Sequence, residues 1–498
     1  MGEDFYIKID IDSDTKIGIF ESSHFSAFRE HFSCENKSRN MIPAHKRKFV
    51  PKRNYMISPS GEFAIGLLNE IYSFAKQIRP NLKKSEFEVT SEARYFYEPK
   101  FLIPDDYELY QFEGFEYRDI QETAIKRTLE RGRGVVNVGT AGGKGLTMAG
   151  TIRTLQKYNP SLNYLLIVLP HLVEKTTKEF IDDYGFTKNE ICSWCSGSKP
   201  NFNLPIVVAS TRIINEKNIQ NVINRNVVLI DECHCVKESS GITDIVKKMS
   251  TNNIIGYTGT VPREDDMINR WSVLGVIGKV ICKFTSTDLR NKGYKAKAKI
   301  VAVKLKGCKH KPKLTEKIDG VKVQRNRNIV YREEEEYLLT SEGRNNYIKK
   351  FILKFCNGNT MIPIDWNYHE ELLRVLFSDL DRNVYFVNGD TPKGDKVKIY
   401  EQLENEKDAI LVVKTGVMRE GVNLKEMQFM VGFFAKKAYI KTLQLLGRIE
   451  RKSKNNELPV MFDFYDETRK SKEHFKVREQ IYQEDNLPII YKEIKLDY

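Results

Sequence analysis

Short runs of almost uninterrupted apolar residues recur through most of this chain, and they fix its fold class. The first four occupy residues 134–138, 164–169, 206–209 and 227–230, with helix-like segments between several of them. A strand with one face in water alternates apolar and polar residues. A strand covered on both faces does not, so these runs read as buried parallel strands of an α/β domain. The pattern returns at 361–364, 384–387, 410–413 and 429–433. The expected architecture is α/β, with two parallel-sheet lobes in tandem.

The first hundred residues read differently. Apolar and polar residues alternate over 5–11 and again over 16–20, which predicts a hairpin. Residues 25–32 have helical spacing. Phe63, Leu67, Ile71, Phe74 and Ile78 predict a longer helix over 63–78. A small α+β domain therefore ends near residue 100, and the Pro- and aromatic-rich stretch 99–112 connects it onward. The expected division is 1–100 for this N-terminal domain, 101–290 for the first lobe, 291–340 for a basic connector and 341–498 for the second lobe.

Charge adds a partner. The 498 residues carry a formal charge of +13, and residues 290–328 hold 14 Lys and Arg against 2 Asp and Glu. A second cluster, His45, Lys46, Arg47, Lys48, Lys52 and Arg53, has no acid between residues 41 and 61. Such clustering is the footprint of a polyanion, although a lysine-rich solvated linker would look the same over 290–328. The acid run Glu333 to Glu336 reads as a solvated helix face. No stretch approaches the ~18 apolar residues of a membrane span, so no membrane partner is expected. The acidic start lacks a secretory core and a myristoylation signal. Eight cysteines, without paired metal-binding spacing, read as free thiols in a reducing, cytoplasmic setting.

The chemistry begins after the strand at 134–138, in Gly139-Thr140-Ala141-Gly142-Gly143-Lys144-Gly145-Leu146-Thr147. Glycines let backbone N–H groups close around phosphate oxygens, and a following helix N-terminus adds a favourable dipole. Lys144 then reaches the β- and γ-phosphates. One position departs from the phosphate-loop pattern: Gly145 stands where a Ser or Thr normally ligates Mg²⁺, and Thr147 or a water is left to substitute. Downstream, the strand at 227–230 ends in Asp231-Glu232-Cys233-His234. Asp231 is placed to hold Mg²⁺, and Glu232 to polarise an attacking water.

In this order the motifs resemble those of superfamily 2 helicases, nucleic-acid-dependent ATPases with two RecA-like lobes. The likeness runs over about 115–465. Arg118-Asp119-Ile120-Gln121 resembles the element in which glutamine reads adenine, here Gln121 with Tyr117 or Phe115 beside it. Residues 139–145 resemble the phosphate loop. Pro170-His171-Leu172 and Ser210-Thr211-Arg212 lie where such helicases touch the nucleic-acid backbone. Residues 231–234 read as a DECH box. Residues 256–263 resemble the segment that couples hydrolysis to the bound strand. In the second lobe, Lys414-Thr415-Gly416 through Leu424 resembles a further backbone-contacting element. Gln444-Leu445-Leu446-Gly447-Arg448-Ile449-Glu450-Arg451 fits Gln-x-x-Gly-Arg-x-x-Arg without a mismatch. The resemblance implies ATP and Mg²⁺ as cofactors, with Arg451 as the main γ-phosphate arginine and Arg448 as its neighbour.

The N-terminal pattern is similar to the accessory domain of UvsW-type phage recombination helicases, which remodel forks, displacement loops and junctions. It implies single-stranded and branched duplex DNA as partners, with 45–53 on duplex. Alternatives are an RNA helicase, a restriction-system motor without its nuclease, and an annealing protein with a weakened ATPase, for which Gly145 speaks.

Overall fold

The protein is seen here in a computed structural model that describes residues 5–36, 39, 42, 44–210, 212–236, 241–262, 266–308, 310–318, 321–418, 427–433, 447, 450 and 458–496. The chain divides into two compact units, Met1–Thr285 and Ser286–Tyr498.

The first unit opens with β1 (Ile7–Asp12) and β2 (Ile17–Ser22), then α1 (Phe25–His31). The short strands β3 (Ser33–Glu35) and β4 (Arg53–Tyr55) pair with each other. Next come β5 (Glu62–Ala64), α2 (Leu68–Ile78), β6 (Phe87–Val89) and α3 (Ser91–Tyr97). The sheet order is β5-β2-β1-β6, with β1 and β6 parallel and the other pairs antiparallel. The hairpin matches the alternating sequence. The helix expected over 63–78 starts later: Phe63 lies in β5, and Ile65–Leu67 forms a 3₁₀ turn before α2. Phe63 and Leu67 kept helical spacing only because both face the same core.

That core is shared. Phe32 meets Trp271 of the first lobe at 5.5 Å between ring centroids. A Cβ on Gly66 would stand 2.2 Å from the Leu274 carbonyl oxygen, so this close approach of two backbones requires glycine. Lys16 donates to the carbonyls of Met249 and Thr251. The N-terminal sheet is thus welded to the first lobe by buried apolar surface and hydrogen bonds.

The first lobe contains α4 (Asp119–Arg131), β7 (Gly134–Val138), α5 (Lys144–Tyr158), β8 (Tyr164–Ile167), α6 (Val173–Asp182), β9 (Ile191–Trp194), β10 (Ile206–Ala209), β11 (Val227–Ile230), α7 (Gly241–Lys248), β12 (Ile254–Thr258), α8 (Met267–Ile277) and β13 (Val280–Phe284). Its seven strands are all parallel, in the order β13-β7-β12-β11-β8-β10-β9. Burial on both faces explains their apolar composition.

The second unit contains α9 (Ser286–Asn291), β14 (Lys299–Lys306), the hairpin β15 (Thr315–Ile318) and β16 (Val321–Gln324), α10 (Arg327–Thr340), α11 (Glu342–Phe355), β17 (Thr360–Ile364), α12 (Asn367–Leu376), β18 (Val384–Val387), α13 (Lys393–Asn405), β19 (Ile410–Lys414), α14 (Thr415–Met418), β20 (Phe429–Gly432), β21 (Val460–Asp466), α15 (Arg469–Glu484) and β22 (Ile489–Lys495). Again seven parallel strands form one sheet, β18-β19-β17-β20-β21-β14-β22. These are the two α/β lobes read from the sequence, with the small α+β sheet ahead of them.

The basic stretch holds a surprise. Residues 299–306, read as connector, run between β21 and β22. At least five cations of the 290–328 window are ion-paired: Arg290 and Lys295 with Glu450, Lys304 and Lys306 with Glu493, and Arg325 with Glu333. The acid run is not solvated throughout either. Glu334 and Glu335 are buried, and Glu334 accepts from the amides of Lys470 and Ser471 at the start of α15, where unsatisfied N–H groups and the helix dipole favour a carboxylate.

Candidate nucleotide and nucleic-acid site

Both chemical motifs sit at carboxyl ends of parallel strands, where open α/β sheets gather their ligands. The loop after β7 turns through Ala141 (φ 69°) and Gly143 (φ 78°) into α5. Glycine takes that conformation freely; an alanine there costs roughly 1–2 kcal/mol. No side-chain hydrogen bond comes from the N-cap of α5, and a helix N-terminus favours an anion.

Two residues brace the loop from behind. Gln121, only 4% exposed, donates from Nε2 to the carbonyls of Gly142 and Gly143 at 3.3 Å each, and its Oε1 accepts from the Arg118 amide. The Arg118 guanidinium donates to the Ala141 carbonyl at 2.9 Å. The glutamine assigned to adenine is therefore bonded here to the loop. Tyr117 turns its hydroxyl to the Tyr110 carbonyl and lies over Gly150, whereas Phe115 is 41% exposed.

Around Gly145 the geometry explains one absence and removes one candidate. A Cβ there would stand 2.7 Å from Glu179 Oε1 and 3.0 Å from the Tyr184 hydroxyl, which themselves share a hydrogen bond. Thr147 does not supply the missing hydroxyl. It is buried, and its Oγ1 donates to the Gly143 carbonyl at 3.1 Å.

From Lys144 a polar chain crosses the sheet. Its Nζ lies 3.3 Å from Glu232 Oε1. Glu232 Oε2 lies 3.2 Å from His234 Nδ1, which is 3.0 Å from Thr258 Oγ1 at the end of β12. Thr258 in turn ties to the backbone of Thr260. Glu232 adopts the left-handed conformation (φ 48°), which aims it back across the loop. Burial opposes its charge, but Lys144 and His234 prevail and hold the carboxyl well below the usual range. Burial also opposes a proton on His234, yet Cys235 and Glu232 beside it push the imidazole up to about 9. Asp231 moves the other way: burial and the neighbouring Glu232 charge raise it to about 6, partly offset by Lys144. The His234–Thr258 contact and the brace on the loop were not visible in the sequence. Each joins residues from different strands or helices.

The backbone-contact candidates are spread over both units. Pro170 follows β8 half-buried, and Arg212 follows β10 exposed. Thr415 opens α14 after β19 and donates its hydroxyl to Asp365, with Gly416 exposed beside it. Thr211, Gln444, Arg448 and Arg451 lie outside the described residues. His45, Lys46, Arg47 and Lys48 belong to the 3₁₀ helix Ala44–Phe49. Lys46 and Lys48 are exposed, whereas Arg47 is half-buried and donates to the Ile42 carbonyl. The sequence reading missed Phe49, 78% exposed in the same turn with the Lys48 ammonium 5.0 Å from its ring centre.

Comparison with known proteins bears on this geometry. Residues 114–263 match the family of the Type III restriction enzyme res subunit, and residues 336–453 match the helicase conserved C-terminal domain. Together these take in more than half of the chain. The chain belongs to the superfamily 2 helicases. As a helicase of this class it is a nucleic-acid-dependent ATPase. It is 24% identical over 358 residues to the ATP-dependent DNA helicase uvsW of Enterobacteria phage T4, covering 70% of this chain and 68% of that one. A crystal structure of T4 UvsW aligns over 98% of this helicase and 99% of that chain, at 19% identity and a TM-score of 0.45. A fragment of a putative HsdR subunit of a type I restriction enzyme from Vibrio vulnificus YJ016 shares the fold, with a TM-score of 0.57 at 14% identity, over 77% of this chain and 69% of that one. Among the described residues no helix is long and apolar enough to cross a membrane.

Proposed function

We propose that this helicase couples ATP hydrolysis to movement on branched DNA, remodelling forks, junctions and displacement loops. The observation that carries the ATPase half is the chain Lys144–Glu232–His234–Thr258, which links a phosphate-binding lysine to the segment read as coupling hydrolysis to the strand. The likeness to the phage DNA helicase supports DNA over RNA. The basic 3₁₀ helix, on a module fused to the first lobe, supports a duplex contact that moves with the motor.

In this reading Lys144 and the backbone of Thr140, Ala141, Gly142, Gly143 and Gly145 take the phosphates of ATP. Tyr117, Arg118 and Gln121 set the nucleotide edge of the loop. Glu232 orients the attacking water. Gln444 lies beside the nucleotide, and Arg448 and Arg451 meet the γ-phosphate charge, an effect worth roughly 10³–10⁵ in rate in related enzymes. Asp231 fits Mg²⁺: it is a half-buried carboxylate beside a second one, an arrangement that favours a cation. Mg²⁺ is usually held by one or two carboxylates together with substrate phosphates. When bound, the ion offsets phosphate charge. Pro170, Thr211, Arg212, Thr415 and Gly416 contact the strand through phosphates, so recognition follows structure rather than sequence. The setting is the host cytoplasm during phage infection.

Gly145 favours a second reading, a strand-annealing protein with a weak ATPase. One experiment separates the two. ATP turnover and unwinding are measured on forks, junctions, tailed duplexes and RNA hybrids, for the wild type and Lys144→Ala. The motor reading requires DNA-stimulated turnover that Lys144→Ala abolishes, with branched DNA the preferred substrate. Turnover that persists in Lys144→Ala, or a preference for RNA, ends it.

A further inference from the structure

Glu450 sits inside the Gln-x-x-Gly-Arg-x-x-Arg segment, between Arg448 and Arg451. Its side chain is fully enclosed. Oε1 lies 2.7 Å from Arg290 Nη1, and Oε2 lies 2.5 Å from Lys295 Nζ. The Glu450 carbonyl accepts from the Ala296 amide at 2.8 Å. Both cations are themselves held. Arg290, on α9, also donates to Thr287 Oγ1 and the Asp485 carbonyl, with its Nη2 3.5 Å from Asp485 Oδ2. Lys295 donates to Ser286 Oγ at 3.0 Å.

We infer that Glu450 is the positioning residue for the arginine pair, anchored by Arg290 and Lys295 from the segment through which the chain enters the second unit. The proposal rests on the reading of Arg448 and Arg451 as γ-phosphate arginines. Its physical basis is the behaviour of buried charge. An apolar residue would fill this enclosed position at lower cost, because desolvating a carboxylate and two cations offsets most of their attraction. What the ion cluster supplies is direction: three ties fix both the side chain and the backbone of residue 450. Arg451 is its immediate neighbour and Arg448 lies two residues away. Any reorientation of 286–296 is therefore carried to residue 450. Two cations of the basic window are thus enclosed in this cluster and unavailable to DNA.

The test compares Glu450→Gln, Glu450→Asp and the double variant Lys295→Met/Glu450→Met with Arg451→Ala. It reads kcat and KM of DNA-stimulated ATP hydrolysis, the affinity for a fluorescent ATP analogue, and thermal unfolding. The double variant removes the carboxylate with one of its two cations and leaves Arg290 its contacts with Asp485, so it protects the fold should Glu450→Gln unfold. The expected result is kcat lowered at least tenfold in Glu450→Gln and in the double variant. KM and analogue affinity stay within twofold, and Glu450→Asp recovers part of the loss. Wild-type kcat in a folded Glu450→Gln or double variant, alongside an impaired Arg451→Ala, overturns the positioning role alone. So does a loss that only tracks the unfolded fraction. Wild-type turnover in Arg451→Ala overturns the arginine reading and this inference with it.

Discussion

The Lys144 ammonium stands 3.3 Å from Glu232 Oε1, so the residue proposed to grip phosphate is held by the residue proposed to activate water. Incoming phosphates compete with that carboxylate for one cation. Glu232→Gln removes the competitor and the polarising group together. Nucleotide affinity should hold or tighten by up to several-fold, while turnover falls roughly 10²–10⁴-fold, the usual size of a general-base contribution. Titration with a fluorescent ATP analogue and phosphate release on saturating DNA measure the two effects. A Glu232→Gln protein that turns over near the wild-type rate removes Glu232 from the chemistry.

Gly145→Ser restores the hydroxyl that the phosphate loop lacks. The new Cβ meets the far end of the Glu179 side chain at 2.7 Å and the Tyr184 hydroxyl at 3.0 Å, so the glutamate must rotate aside and the tyrosine give by a few tenths of an ångström. Serine is also the better helix former, by about half a kcal/mol, so the variant should fold. The Mg²⁺ concentration for half-maximal ATPase should drop several-fold. An unchanged or raised requirement would show that the hydroxyl is not what the site is missing.

Legibility of the sequence followed the reach of each interaction. Strands buried on both faces, such as β8, β10 and β11, announced themselves because every residue in them is apolar. β14 was hidden by its lysines. Ile300, Ala302, Val303 and Leu305 are buried, but Lys304 and Lys306 extend to Glu493 on β22, and their charge read as linker. Lys144, Asp231 and Glu232 were legible because loop chemistry is written in consecutive residues. The contacts of His234 with Thr258 and of Glu450 with Lys295 were not, since sheet order and chain return bring those partners together. Arg47 shows the converse: its charge was legible, but not the hydrogen bond its guanidinium donates to the Ile42 carbonyl.

The basic turn gives a graded expectation. Lys46 and Lys48 are exposed and free to meet phosphate, whereas Arg47 helps hold the turn. Lys46→Glu/Lys48→Glu should weaken fork and duplex binding more than ATPase on saturating single strand. It should also flatten the plot of log affinity against log salt by about two, roughly one for each lost phosphate contact. Phe49→Ala should weaken binding to forks with unpaired bases without changing the salt slope. Equal loss on every substrate, including single strand, would remove duplex contact from this turn.

Acid should destabilise the second unit through His369. This histidine is buried against the Phe433 ring, at 5.2 Å between centroids. Burial, with the Arg344 charge adding to it, pulls its pKa down to about 3 from the ordinary 6.5. Below 6.5 the unfolded chain takes up a proton that the folded chain refuses. The stability from neutral His369 is therefore complete above pH 6.5 and is lost as pH falls toward 3, by at most about 1.4 kcal/mol per pH unit. His234 has the opposite sign: its pKa is raised, so its contribution is lost as pH rises toward 9 and leaves the acid limb alone. Denaturant titrations of the wild type and His369→Phe between pH 5 and 7.5 isolate the effect as a difference. The wild type should lose more stability than the variant between pH 6.5 and 5, and the two curves should run parallel above pH 7. Parallel curves over the whole range would mean that the imidazole is protonated in the fold, with Arg344 turned away from it.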